Sequence, residues 1–288
     1  MDDRSEVADH YSTGTLLGAI EAGLTAMGST PATVSVEDLG PVDEFHVGGR
    51  LATAELCEHL GAAADSRLLD VGCGIGGTAR FVASTIGSHV TGIDLTPEYI
   101  EVARTLSGWT SLDDRLDFEV ASALDMPYDD ESFDGVTQLH VGMNIADKAA
   151  LFREIHRVLR RGSRFALYDI VRTSDGDVTF PVPWAGEPAN SFVADLPTYR
   201  RELATAGFEV LVERDRGEFA VEFFTAMRER AASQDGPPPL GLHVIMGPDA
   251  STKIGNLIAA LTDGTLAPVE LICRRGEMSS TTTVARGV

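Results

Sequence analysis

The stretch LLDVGCGIGG at residues 68 to 77 places Gly72, Gly74, Gly76 and Gly77 behind a short apolar run. Backbone this bare leaves room for a ligand to lie against the main chain. An acid, Asp94, follows about twenty residues on, where a carboxylate can accept two hydrogen bonds from vicinal ribose hydroxyls. Three histidines, His46, His140 and His243, are the candidate proton acceptors. His140 follows an apolar run, FDGVTQL, that reads as a strand, so it stands at a strand's end. Asp70 lies inside the first apolar run, two residues before the glycine turn. Three ligands compete for that turn. Gly72, Gly74 and Gly77 satisfy the G-x-G-x-x-G pattern of dinucleotide binding. A P-loop fails, because no Gly-Lys-Ser/Thr follows. S-adenosylmethionine makes the same demands on backbone and acid as a dinucleotide.

These residues need strands that end together at one edge. Short apolar runs alternate with helical segments: RLLDV, a helix from Gly76, HVTGID, a helix from Pro97, RLDFEVA, FDGVTQLH, a helix from Lys148, and RFALYDIV. Such alternation predicts βαβ units and a sheet covered by helices on both faces. Thr96-Pro97-Glu98 reads as a helix start, and the RRG at 160 to 162 as a helix end. An apolar helical face covers 5 to 27, followed by a polar loop and a helix over 49 to 60. The Pro-, Gly- and aromatic-rich segment 173 to 195 is too long for a plain connection and reads as a binding loop. Helices follow over 196 to 206, 218 to 233 and 248 to 262, with a strand, GFEVLVERD, after the first of them and APVELICRR as the last strand.

Composition narrows the partners. The chain has 288 residues and a formal charge of −21, from 23 basic and 44 acidic side chains. That charge repels phosphate backbones, so nucleic acid is not expected as a partner. No apolar run approaches a membrane span, and no membrane partner is expected. The start, MDDRSEVADH, resembles neither a signal nor a transit peptide, which points to the cytoplasm. Cys57, Cys73 and Cys273 are far apart with no metal-ligand spacing, so neither a disulfide framework nor a metal is expected.

Four stretches in order, LLDVGCGIGG, VTGIDLTPEYIEVAR, ALDMPYDDESFDGV and HRVLRRGSRFALYDI, resemble the motifs of the class I S-adenosylmethionine-dependent methyltransferases. EFHVGGRLAT, HVGMNIADK, FPVPWA and PPPLGLHVIMG are similar to one branch of that family, which includes sarcosine and dimethylglycine N-methyltransferases and natural-product tailoring enzymes. The resemblance implies an α/β fold, a Rossmann-like seven-stranded methyltransferase sheet. It implies a helical cap over 1–46 and a methyltransferase domain over 47–275, with lid segments at 173–195 and 217–265 inserted before the last strand. The tail 276–288 has no core-forming pattern and reads as disordered.

The resemblance also assigns roles. Gly72 and Gly74 lie against the methionine part of S-adenosylmethionine, and Asp70 approaches its amino group. Asp94 binds the ribose, and Leu95 packs on the adenine. Ala123 and Leu124 bracket the adenine, and Ser122 stands where the family often has an Asp for the adenine amino group. Leu139 occupies a position on the cofactor wall where the branch often has Gln; that polar contact is absent or is supplied by Gln138. Tyr11 covers the cofactor, and Arg50 meets a carboxylate. His140 is the candidate base. His46 and His243, with Met143, Trp184, Phe192 and Met246, are candidate substrate contacts. Asn144 caps the following helix. The implied activity is methyl transfer to a small molecule, with an amine nitrogen narrowly first and C- or O-methylation of a natural product second. A nicotinamide-dependent oxidoreductase, or an inactive cofactor-binding protein, is the alternative from another class.

Overall fold

The computed structural model describes residues 11, 14–232 and 238–276. The part of the N-terminal reading that falls on 1–10, 12 and 13, and the tail beyond 276, therefore lie outside the described residues. Seven strands form one sheet in the order β3-β2-β1-β4-β5-β7-β6. They are β1 (Arg67–Val71), β2 (His89–Asp94), β3 (Leu116–Val120), β4 (Phe133–Leu139), β5 (Leu159–Arg172), β6 (Phe208–Asp215) and β7 (Leu266–Arg275). The pairs among β1 to β5 are parallel, and β7 runs antiparallel between β5 and β6. The expected α/β seven-stranded sheet is the observed one.

The core strands are apolar because both of their faces are covered. Leu69, Val71, Val136 and Phe165 are among the residues packed on the face that α6 (Lys148–Val158) and α7 (Leu196–Ala206) cover. Leu68, Val90 and Ala166 pack on the other face with α3 (Gly49–Leu60) and α4 (Gly77–Ile86). Helix α5 (Pro97–Trp109) joins β2 to β3.

The elements before β1 depart from the sequence reading. Helix α1 spans Leu16–Ala26, and the expected polar loop after it holds a further helix, α2 (Val36–Asp43). Its start is a capping box: Ser35 Oγ accepts from the Asp38 N–H at 3.2 Å, and the Ser35 N–H donates to Asp38 Oδ2 at 2.9 Å. The Ser-x-x-Asp signal was present, but Pro41 lies inside the helix and the eight residues are too few for a clear periodicity. Thr96 makes no cap bond. Glu98 reaches instead to the start of α1, where Oε2 accepts from the Gly14 N–H at 2.8 Å and Oε1 from the Leu16 N–H at 3.0 Å. Arg160, Arg161 and Gly162 fall within β5, since α6 already ends at Val158.

After β6 come α8 (Gly217–Ala232), the one-turn α9 (His243–Met246) and α10 (Ala250–Thr262), then β7. Val182, Trp184, Phe224, Leu257 and Ile258 form one apolar cluster, which joins the 173–195 segment to α8 and α10. These elements pack beyond the ends of β4 and β5, with Met143 and Ile170 in the same cluster.

Candidate active site

The parallel strands end together at a cavity of about 1330 Å³, and the residues after β1, β2 and β4 form its floor. The four glycines of the first turn differ in what demands them. Gly72 has φ +70°, and a Cβ there would collide with the Val141 side chain. Gly76 and Gly77 are closed in by Phe118 and by the Asp43 backbone. Gly74, at φ +53°, has nothing within 4 Å of where its Cβ would be. The packed protein therefore requires three of the four, and Gly74 alone faces open space.

Asp94 ends β2 and holds the turn: Oδ2 accepts from the Gly74 N–H at 3.0 Å and Oδ1 from the Thr96 N–H at 2.9 Å. Each oxygen keeps a further lone pair toward the cavity that Asp94 lines. Asp70 is 2% exposed. Its Oδ1 accepts from Thr137 Oγ1 at 2.8 Å, and its Oδ2 is buried without a partner. Burial raises the Asp70 pKa to about 7, against the lowering effect of Thr137.

Leu95, Ala121, Ser122, Ala123 and Leu124 line the same side of the cavity. Ser122 Oγ accepts from the Leu124 N–H at 3.2 Å, which makes it a turn residue as well as a wall residue. Leu139 lines the cavity. Gln138 does not: it is fully buried with its Nε2 3.4 Å from Asp169 Oδ2, so it is no substitute donor to a ligand here. Tyr11 packs against Phe45 and Tyr99, with ring centroids 6.2 and 5.8 Å away, and its hydroxyl accepts from Asn144 Nδ2 at 3.2 Å. Asn144 is thus tied to the N-terminal segment. The cap of α6 is Asp147, whose Oδ1 accepts from the Ala150 N–H at 2.8 Å.

Arg50 also lines the cavity, but its Nε is already paired with Glu44 Oε1 at 2.9 Å and its guanidinium lies over Phe81. Its Nη1 is buried without an acceptor, so a donor remains for a carboxylate. Glu44, His46 and Thr53 all lie in EFHVGGRLAT, a stretch that carries the branch resemblance but not their contacts with one another. Only the folded approach of the chain before α3 shows those.

His140 sits immediately after β4 with φ +55°, a left-handed conformation that is uncommon for a side chain other than glycine. A hydrogen bond from its N–H to the Tyr168 carbonyl, 2.7 Å long, holds it there. Its Nε2 is buried without a partner. Burial, and then His46, push its pKa well below the ordinary value, so the ring is neutral. His46 faces it, ring centroid to ring centroid 5.9 Å, and Tyr168 packs against both.

The rest of the cavity is mainly apolar, with Glu222, Arg230 and Ser251 among its polar lining. Met143, Pro183, Trp184, Phe219, Phe223 and Phe224 line it, with Met227, Leu240, Ile245, Met246, Ile254 and Leu257. Trp184 is anchored by a bond from Nε1 to Ser191 Oγ at 3.0 Å. His243 lines it from α9. Phe192 does not: its N–H donates to the Met143 carbonyl at 2.8 Å, and it serves the loop rather than the cavity. Sequence reasoning missed the face of α8. Its signal was present as Phe219, Phe223 and Met227 at helical spacing, the pattern of any core helix.

Beneath this floor, Lys148 Nζ donates to the carbonyls of Gly142 (2.7 Å), Phe192 (2.8 Å) and Ile145. Tyr199 OH donates to Asp169 Oδ2 at 2.7 Å. These bonds tie the loop after His140 to β5, the 173–195 segment and α7.

The family profile described as a methyltransferase domain matches residues 69–167. The chain is 35% identical over 167 residues to methyltransferase GfsG of Streptomyces halstedii, an alignment that covers 58% of each chain. It is 33% identical to 27-O-demethylrifamycin SV methyltransferase of Amycolatopsis mediterranei, over 62% of this chain and 70% of that one. The chain spans between 51% and 63% of the length of the first curated relatives it matches. The solved structure of the [4+2]-cyclase SpnF shares the fold with a TM-score of 0.67 at 22% identity, over 95% of this chain and 97% of that one. The chain belongs to the class I S-adenosylmethionine-dependent methyltransferases.

Its cavity fits the cofactor of that family. The unpartnered buried Oδ2 of Asp70 suits an ammonium group, the open space at Gly74 suits a ligand against the backbone, and Asp94 keeps acceptor capacity for hydroxyls. The described residues hold no cluster of His, Cys, Asp or Glu suited to a metal. No helix among them is long and apolar enough to cross a membrane.

Proposed function

We propose that this chain transfers a methyl group to a hydroxyl oxygen of a bulky, mainly apolar and uncharged small molecule. The observation that carries this reading is the cavity beyond the cofactor wall. A pocket for one drug-sized ligand holds roughly 300–1,000 Å³, and this cavity of about 1330 Å³ has room for a second large molecule. The additional space is walled by aromatic and aliphatic side chains from α8, α9, α10 and the 173–195 segment. Charged side chains are few on these walls, Glu222 and Arg230 among them, so a small ammonium or zwitterion would give up more hydration than it regains. The sequence reading ranked an amine nitrogen ahead of natural-product tailoring, and the apolar walls favour the reverse order. An oxygen acceptor is supported by the relatives named 27-O-demethylrifamycin SV methyltransferase and tocopherol O-methyltransferase.

Bound S-adenosylmethionine supplies a methyl carbon on a good leaving group, so the protein's share is alignment and proton management. Asp70, Gly72, Gly74, Asp94, Leu95 and the 122–124 loop hold the cofactor, with Leu139 beneath it. Tyr11 covers it, and Arg50 offers Nη1 to a carboxylate. Met143, Trp184, His243 and Met246 shape the acceptor side. His140 orients the acceptor oxygen through its unpartnered Nε2, between the floor and the apolar roof.

The test is mass spectrometry of products made with methyl-deuterated S-adenosylmethionine. Sarcosine and dimethylglycine form one pool; large apolar alcohols and phenols form another, and apolar amines a third. Label in the alcohol and phenol pool alone is expected. Label confined to either amine-bearing pool overturns the hydroxyl assignment, and no label in any pool overturns methyl transfer to such acceptors.

A further inference from the structure

Two imidazoles face the acceptor side, and only one of them has support behind it. Glu44, Thr53 and His46 form a buried chain with side chains from two neighbouring segments: the turn before α3, and α3 itself. Their exposures are 4%, 0% and 8%. Thr53 Oγ1 lies 2.5 Å from Glu44 Oε2 and 3.0 Å from His46 Nε2. Glu44 is also 2.9 Å from the guanidinium of Arg50, a permanent cation. Burial raises the Glu44 pKa, and Arg50 is the first of the partners that lower it. The ion pair keeps the group a carboxylate, since an unpaired guanidinium in this setting would itself be costly.

The proton directions then follow. A carboxylate only accepts, so the Thr53 hydroxyl donates to Glu44. That hydroxyl has no second proton, so toward His46 it can only accept. Nε2 of His46, which also lies 3.5 Å from Glu44 Oε2, therefore carries the ring proton. The Gly49 backbone gives the ring a further bond that favours its protonated form, and in the neutral ring Nδ1 is the acceptor nitrogen of a residue that lines the cavity. His140 has no such chain: its Nε2 has no partner, and the only charge-bearing neighbour that shifts it is His46.

We infer that His46 is the proton acceptor of the reaction, at Nδ1, and that Thr53 is the positioning residue that couples it to Glu44. This rests on the reading of the acceptor as a hydroxyl. As the methyl carbon leaves sulfur, the acceptor oxygen forms the new carbon–oxygen bond. The acceptor O–H bond breaks, its electron pair stays on oxygen, and the proton goes to Nδ1. The positive charge that the sulfonium gives up reappears on the imidazole, so the total charge of the buried site does not change. The new imidazolium is stabilised through Nε2–H, the Thr53 hydroxyl and Glu44. Carboxylate, hydroxyl and imidazole here divide the work as carboxylate and imidazole do in a catalytic triad, with a hydroxyl interposed.

The experiment is long-range proton–nitrogen correlation NMR of the imidazoles in the full-length ¹⁵N-labelled protein with S-adenosylhomocysteine bound. His46→Asn identifies the His46 signals. The expected wild-type spectrum shows neutral His46 protonated at Nε2. Thr53→Ser keeps that tautomer, and Thr53→Val mixes or inverts it. A wild-type ring protonated at Nδ1 overturns the relay, whatever the variants do. An unchanged tautomer in Thr53→Val overturns the role of Thr53. On an alcohol or phenol that takes label in the product screen, Thr53→Val should lower kcat about 10- to 100-fold with KM retained, within the range general-base catalysis supplies, and Thr53→Ser should restore it. A His46→Asn variant with wild-type kcat overturns His46 as the acceptor. A correct tautomer with no labelled hydroxyl acceptor overturns the functional reading while leaving the relay in place, so the two failures are distinguishable.

Discussion

Four glycines crowd residues 72 to 77, and they serve different masters. Gly72→Ala forces a methyl group into Val141 at a positive φ, whereas Gly74→Ala meets only the backbone strain, roughly 1–2 kcal/mol. The expected outcome is a larger fall in Tm for Gly72→Ala. Gly74→Ala keeps more of its Tm but loses S-adenosylhomocysteine affinity, because its methyl enters the space the ligand needs. Thermal unfolding and calorimetric titration of both variants check this. Asp70 makes a second residue-scale prediction. Its folded pKa of about 7 lies above the ordinary carboxyl value of 3.8. The folded state therefore binds this proton more tightly than the unfolded chain does. The associated stability is fully present below about pH 4 and is lost as pH rises through 7. Asp169, at about 6, acts in the same direction. His46, lowered to about 4, acts in the opposite direction and is spent above 6.5. Between pH 6.5 and 8 the ligand-free protein should lose stability as Asp70 ionises, and Asp70→Asn should flatten that slope. Most of the loss falls between about pH 4 and 7, and within this window the effect is on the order of 1 kcal/mol. Denaturant melts across that range measure it, and parallel slopes in the two proteins would defeat the assignment. Since Oδ2 faces the place suited to an ammonium, affinity for S-adenosylhomocysteine should rise over the same pH window in the wild type and not in Asp70→Asn.

At the scale of elements, the least anticipated feature is the link between α2 and α4. Arg80 of α4 and Asp43 of α2 form an ion pair with both side chains 0% exposed. Arg80 Nη1 also lies 3.4 Å from the Ala103 carbonyl and from Ser107 Oγ on α5. The pair clamps the helix that leaves the glycine turn to the segment that leads into Glu44 and His46. Arg80→Met leaves the Asp43 carboxylate buried without its cation, which costs about 3–5 kcal/mol. In a chain of this length that corresponds to a Tm lower by roughly 5–8 °C. Pairing Arg80→Met with Asp43→Leu should recover most of the loss, since an apolar pair of similar volume avoids the buried charge altogether. Scanning calorimetry of the single and double variants reads both effects. Legibility at this scale followed length and periodicity. Helices α5, α6, α7, α8 and α10, and all seven strands, were evident from apolar spacing, because each buries a face and must repeat its pattern to do so. Helix α2 was not, because eight residues interrupted by Pro41 carry too little pattern, and its stability comes from Ser35 and from Arg80 rather than from its own propensity.

For the whole molecule, the chain's order of motifs was enough to specify the parallel sheet, the ligand end of the strands and the family. Those depend on local demands that a sequence displays: a turn at positive φ needs glycine, a strand covered on both faces must be apolar, and an acid must end β2 to meet hydroxyls. The places of Gly74 and Asp94 on the cavity wall were legible for that reason, and those of Asp70, Leu95 and the 122–124 loop through the family resemblance. Tertiary structure alone decided what depends on side chains far apart in the chain meeting in one place. It turned Gln138 away from the cavity to Asp169, tied Asn144 to Tyr11, and engaged Arg50 with Glu44. It packed α8, α9, α10 and the 173–195 segment, which the sequence offered as lid segments, into one mainly apolar roof, and it decided which of their side chains face the cavity. It set His46 against His140 and placed Thr53 behind His46, so that proton positions follow from hydrogen-bond partners. A sequence displays the conformational and burial requirements of each segment, but distances between segments, and the fields and proton directions they impose, arise only when the chain has closed on itself.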